Sequence, residues 1–252
     1  MLDDHDGRYI AFEAIHNFRD IGGYAAGEGR RIRRGLVYRS ASPHGATRVD
    51  RERLRTLGIR QIFDLRSEPE AAEQGRADFS DIGAAVHHIP VYRDLDTSPL
   101  AIAARAKMYG TDFADAYMHM LKRGGATFRA VLERINETEG PAIVHCAGGK
   151  DRAGNAIMLL LSVLGVEHDT IVADYALTTR YLPPPDIQQL TAYSQRSGIS
   201  VEDLVSRHGA QAEAMERTLA RVQAEFGGPI AYLRGLGMDE ETMERLRQQL
   251  LA

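Results

Sequence analysis

The chain has 252 residues, 44% hydrophobic and 26% charged, which supplies one substantial core and excludes a disordered chain. Its 31 basic residues against 35 acidic ones give a net charge of −4, so no general positive field suits nucleic acid or an anionic membrane. Trp is absent, Lys is confined to Lys107, Lys122 and Lys150, and the single thiol, Cys146, excludes a disulfide-stapled scaffold.

Residues 1–8 are polar and acidic, unlike the basic start and apolar run of a secretory leader. The longest apolar stretch, 156–164, is far shorter than the roughly 20 residues that a bilayer requires. No membrane span is expected, and the cytoplasm is the expected compartment, with export without a leader left open. Asn17 to Tyr24 ends in a Gly22-Gly23 turn and 35–39 is a short β-rich run, predicting a small N-terminal hairpin. Helical spacing over 48–57 stops at Gly58 and feeds a buried strand over 59–65; a third strand, 85–91, is closed by Pro90. Residues 113–121 and 126–136 read as two helices, Gly140-Pro141 breaks into a fourth strand over 142–145, and an apolar helix covers 155–164. Beyond Gly165 the pattern is helical at 169–177, 185–198, 201–208, 211–226, 230–236 and 239–250. No repeat or low-complexity linker divides the chain, so residues 1–252 are read as one domain. Strands alternating with helices predict an α/β fold, with a central, mainly parallel sheet flanked by helices and an extended helical C-terminal half. Ligand sites of such sheets lie at the carboxyl ends of the strands.

The loop after the fourth strand, His145-Cys146-Ala147-Gly148-Gly149-Lys150-Asp151-Arg152, stands at that edge with five residues between the thiol and Arg152. A tight loop opening a helix turns successive amides inward and makes a nest for a tetrahedral oxyanion. Gly148 and Gly149 permit the turn, and the planar fork of Arg152 grips two anion oxygens. The same positive field makes the sulfur nucleophilic at neutral pH. Ala147, Gly148, Gly149, Lys150, Asp151 and Arg152 are therefore the candidate phosphate-binding residues, and Cys146 the nucleophile. The plainer reading is a buried Cys closing a core strand before an unrelated surface loop. A Walker loop is excluded, because Asp151 follows Gly149-Lys150 where Ser or Thr is required and Val144 stands where that motif has Gly. His87 and His88 are adjacent on a strand and point to opposite faces, which disfavours a metal site.

The His-Cys, five residues, Arg pattern resembles the cysteine-dependent protein tyrosine phosphatases, and Gly149-Lys150-Asp151-Arg152 resembles the bacterial IphP-type tyrosine/serine phosphatases within them. Asn17 to Gly23, Tyr38-Arg39-Ser40, Asp64-Leu65-Arg66-Ser67, Ile171 to Tyr175 and Tyr232-Leu233-Arg234 fit the same group, so the resemblance spans nearly the whole chain. It implies a phosphatase-like fold and cofactor-free hydrolysis of phosphate monoesters through a phosphocysteine on Cys146, with Arg152 and the loop amides on the equatorial oxygens. His145 is expected to orient the loop from behind. A chain without Trp cannot carry the Trp-Pro-Asp acid loop of many such enzymes, so the proton for the leaving group must come from another carboxyl. Asp151 stands first, Asp64 second, and Asp94 or Asp96 third; the plainer role of each is capping or ion pairing.

The implied substrates are phosphorylated proteins, phosphotyrosine first, then phosphoserine and phosphothreonine, with phosphoinositides if Lys150 adds a second charge. Lys150 paired with Asp151 or with solvent is the plainer alternative. The family's hydroxyl residue after the Arg is Ala153 here, which implies a slower second step and leaves a second reading, a phosphate-binding pseudophosphatase. Residues 100–121 fall where the resemblance implies a helical lid; an amphipathic helix packed on the sheet is the plainer alternative.

Overall fold

A computed structural model of the chain describes residues 7–93, 104, 113–137 and 139–252. Five strands, β1 (Arg19–Asp20), β2 (Val37–Ser40), β3 (Gln61–Asp64), β4 (Ala85–His88) and β5 (Ala142–His145), form one sheet in the order β1-β2-β5-β3-β4. β1 runs antiparallel to β2, and the other pairings are parallel, as expected of a mainly parallel α/β sheet. The helices are α1 (Arg48–Thr56), α2 (Glu68–Gln74), α3 (Phe113–Glu137), α4 (Asp151–Val163), α5 (His168–Ala176), α6 (Thr178–Tyr181), α7 (Ile187–Ser197), α8 (Val201–His208), α9 (Ala212–Phe226), α10 (Pro229–Gly235) and α11 (Glu240–Leu250). None among the described residues is long and apolar enough to cross a membrane.

Side chains alternate across a strand, so each inner strand feeds two cores. Ile62, Ile143 and Tyr38 enter a smaller cluster with Leu54 of α1, Phe18 and Phe79. Their neighbours Phe63, Val144 and Val37 enter the larger cluster with α3, α4 and the C-terminal helices. α4 is buried nearly all round, from Ala153 through Leu161, and packs between α3 and α5. A helix apolar on every face has to be central, and this one delivers its N-terminus to the middle of the sheet edge.

Four expectations are corrected. The pairs 113–121 and 126–136 are one helix, α3, which runs straight through Gly124 and Gly125. A methyl group on Gly124 would stand 2.5 Å from Val91 Cγ1, and one on Gly125 would stand 2.7 Å from Leu236 Cδ2. The glycines admit close neighbours, and packing outweighs their low helix propensity. The helix expected from 155 begins at Asp151, so Asp151 and Arg152 occupy its first turn. The third strand ends at His88, and the N-terminal hairpin narrows to Arg19 opposite Arg39 and Asp20 opposite Tyr38. Asp20 closes that hairpin by accepting from the amides of Gly22 (2.7 Å) and Gly35 (2.8 Å). The outer edge is tied to the far end of the chain. Arg31 and Ala252 exchange two backbone bonds of 2.9 Å, and Arg33 donates to the Leu250 carbonyl at 2.7 Å.

Candidate active site

The parallel register sets Ser40, His145 and Asp64 side by side at the carboxyl ends of β2, β5 and β3. Cys146 follows directly and is 2% exposed, and the next residues wrap into the N-terminus of α4. The outer side of this loop is held carbonyl by carbonyl. Ser42 N donates to Ala147 O at 2.9 Å, Asn17 Nδ2 to Gly148 O at 3.0 Å, and Arg39 Nη2 to Gly149 O at 2.7 Å and Lys150 O at 3.4 Å. Among the described residues the amides of 147–152 donate to no protein acceptor, leaving them for an anion beside the positive end of α4.

Gly149 makes the close approach possible. Its φ is +66°, and a methyl group there would stand 2.3 Å from Ser40 O, whereas one on Gly148 would meet only Leu182 Cδ2 at 3.9 Å. The bracing groups converge on Asp174 of α5. Its carboxylate takes Arg39 Nη1 at 2.6 Å, Tyr24 OH at 3.0 Å and Arg19 Nε at 3.6 Å, all buried. Arg19 also donates to the side chain of Asn17, which sits at φ 57°. Burial, aided by Arg39, pushes Arg19 down to about 9 against the pull of Asp174, so it stays charged at neutral pH. Burial pulls Asp174 upward, but Arg19 and Arg39 overcome it and hold the carboxyl below its ordinary value.

Arg152 is aimed by Glu70 of α2. Both terminal nitrogens contact the carboxylate, Nη2 to Oε1 at 2.7 Å and Nη1 to Oε2. Glu70 also closes a capping box with Ser67, accepting from Ser67 N at 2.8 Å. Burial opposes the charge on Glu70, but Arg152 and Ser67 hold its carboxyl below the ordinary value. Arg has five N–H donors. Two of them face Glu70.

His145 is buried, with Nδ1 at 3.2 Å from Cys146 O and Nε2 at 3.8 Å from Asp64 Oδ1. Burial pushes it down to about 4 despite the nearby Asp64, so the ring is neutral at pH 7. Asp64 is gripped by Arg66 through Nη2 at 2.7 Å and Nε at 3.0 Å and accepts from Arg66 N at 3.0 Å. Burial would raise its carboxyl, but His145 and Arg66 prevail and keep it below its ordinary value.

Asp151 projects from the first turn of α4 and accepts from Tyr117 OH. The Lys150 ammonium lies 3.6 Å from Asp151 Oδ1, yet it donates to Arg207 O at 2.6 Å and Gly209 O at 3.3 Å and sits 4.5 Å from the Phe113 ring. Its side chain therefore caps the end of α8. Ala153 is fully buried. Asp94, Asp96 and most of the expected lid lie outside the described residues; from Phe113 onward that segment belongs to α3. His87 and His88 serve the sheet, bonding Gln61 Oε1 at 2.6 Å and Arg66 O at 2.7 Å.

Cys146, His145, Arg152, Asp151, Asp64 and the loop amides thus come together at one edge. Sequence reasoning missed Glu70, Asp174 and the roles of Asn17 and Arg39. Ser67-Glu68-Pro69-Glu70 is a readable capping box, the one signal that could have found Glu70; Asn17, Arg39 and Asp174 lie in segments that carry the resemblance, but nothing local to them announces their contacts.

A buried sulfur at a strand end, beside free amides and a clamped guanidinium, makes a cradle that could hold a tetrahedral anion at the carboxyl edge of an α/β sheet. A tyrosine phosphatase family model matches residues 10–252, and the chain belongs to that family as a protein-tyrosine phosphatase. It is similar to a putative tyrosine-protein phosphatase of Cupriavidus necator, 32% identical over 90% of this chain and 84% of that protein. It is also similar to a tyrosine-protein phosphatase of Nostoc commune, at 27% over 84% of this chain and 73% of that protein. The triple specificity protein phosphatase PtpB of Mycobacterium tuberculosis is 27% identical over 93% of this chain and 96% of that protein.

Proposed function

We propose that Cys146 attacks phosphorus of a phosphate monoester, that the phosphoryl group passes through a phosphocysteine, and that water releases phosphate. The observation that carries this reading is the row of unpaired amides from 147 to 152, closed by Arg152 on Glu70. Those donors match the three equatorial oxygens of the transferring group, whose charge they stabilise throughout. Asp151 is the acid that protonates the leaving oxygen. Asp64 is the poorer candidate because Arg66 favours its charged form, and a carboxylate held ionised has no proton to give. His145, neutral, fixes the loop through the Cys146 carbonyl.

Phosphotyrosine is the first substrate class. Phosphoserine and phosphothreonine follow, in line with the name of the mycobacterial relative. Phosphoinositides come last, because the Lys150 ammonium that motivated them is spent on Arg207 and Gly209. A catalytic thiol without a disulfide partner fits a reducing compartment such as the cytoplasm.

The test is phosphate release from p-nitrophenyl phosphate and a phosphotyrosine peptide with chelator present. The expected result is turnover by the native chain, a burst showing that dephosphorylation is slow with Ala153, and loss of both in Cys146→Ser. Binding without turnover above the Cys146→Ser background would instead leave the pseudophosphatase reading that Ala153 favours.

A further inference from the structure

We infer that Tyr117, backed by Tyr175, is a positioning residue that holds the Asp151 carboxyl in one orientation for delivery of its proton; this rests on Asp151 being the acid. Tyr117 lies in the second turn of α3 and is 1% exposed. Its hydroxyl donates to Asp151 Oδ1 and meets the Tyr175 hydroxyl of α5 at 2.5 Å. The two rings stand edge to face, 6.0 Å apart at 80°. Buried phenols are costly unless their hydroxyls are satisfied, and this pair satisfies itself by running to one carboxylate. Burial first, and then the Asp151 carboxylate, hold the Tyr117 phenol well above its ordinary value, so it remains a donor at every working pH.

Asp151 is 37% exposed, and with Oδ1 taken from the core side, Oδ2 is the oxygen left to carry a proton toward bound substrate. Among the described residues, the titratable and charged groups around it are few. Tyr117 faces it from α3 and Tyr175 acts on it from α5. Lys150 lies at 3.6 Å, and Arg152 on the same turn acts on it electrostatically. Lys150 is tethered to the end of α8 and so contributes a fixed charge, which leaves the phenol as the one neutral hydrogen-bond donor to the carboxylate among them.

A carboxyl held by the phenol presents Oδ2 toward the leaving oxygen, and one released from it samples other rotamers. The acid matters most for a poor leaving group such as the tyrosine phenoxide and least for p-nitrophenoxide, which departs with little help. Tyr117→Phe is therefore expected to lower kcat/KM about 10-fold more on a phosphotyrosine peptide than on p-nitrophenyl phosphate, and Tyr175→Phe to do the same by less. The experiment compares the two substrates for native chain, Tyr117→Phe, Tyr175→Phe and Asp151→Asn, with folding followed by circular dichroism. If Asp151→Asn shows no such leaving-group dependence, the acid is another group and the inference falls with that assignment. If Asp151→Asn shows it while the phenylalanine variants lower kcat/KM equally on both substrates, Tyr117 only packs the core, and the inference alone is overturned. Tyr175→Phe decides the matter if Tyr117→Phe does not fold.

Discussion

On the proposed mechanism, Glu70 governs how Arg152 meets its substrate. A guanidinium on a flexible stem samples many rotamers, and the carboxylate fixes one of them before substrate arrives, removing an entropic cost from binding. Glu70→Gln keeps the shape and halves the clamp, because an amide offers one oxygen where the carboxylate offers two. Loss of one charge-assisted hydrogen bond predicts a fall of about 10- to 100-fold in kcat/KM on a phosphotyrosine peptide. The competitive inhibition constant of vanadate, which reads the same oxygens, is expected to rise in parallel. Cys146 and Arg152 were legible because one short segment carries both, together with the glycines that shape it. Glu70 was not, because it is 82 residues from Arg152 and its capping box announces a helix start rather than a partner. Arg39 and Asp174, 135 residues apart, meet only once β2 and α5 are in place.

At the level of elements, the site is a loop held from outside by a two-stranded hairpin and from inside by a buried helix. Gly149 is where the two supports touch. Gly149→Ala puts a methyl group against backbone atoms that cannot rotate away, at a φ that disfavours any side chain, so about 1–3 kcal/mol of stability and nearly all turnover are expected to go. Gly148→Ala, with open space before it, is expected to keep its melting temperature and most of its activity. Thermal unfolding and phosphate release on the two variants check the contrast. The strands and most helices were legible from apolar periodicity and from Gly and Pro punctuation, but α2 and α6 were not read, being too short to show a period. The continuity of α3 was not, since Gly124-Gly125 carries the same letters as a turn, and only contact with Val91 and Leu236 shows why small residues belong there. The start of α4 was hidden for a related reason: Gly154 read as loop, while it lies inside the helix against Tyr175 and Arg39.

For the molecule as a whole, the buried polar floor beneath the loop ties stability to pH. His145 titrates near 6.5 when unfolded and about 4 when folded, so the folded state gains nothing from it above pH 6.5 relative to neutral imidazole and loses ground as pH falls from there through about 4. The window corresponds to about 3 kcal/mol at full protonation. Asp64, Glu70 and Asp174, all held below their ordinary values, add a further loss in the same direction under more acidic conditions. Urea midpoints are therefore expected to drop between pH 7 and 4.5, and the drop is expected to shrink in His145→Asn. The bonds between Arg31 and Ala252 have a consequence for the order of assembly. They join residues 31–33 to residues 250–252 across nearly the whole sequence, and closing so long a loop costs entropy that only a largely formed core offsets. The outer edge of the hairpin that braces the loop is therefore expected to dock late in folding. Removing residues 250–252 should speed unfolding and leave the folding rate nearly unchanged, which stopped-flow kinetics in urea would read.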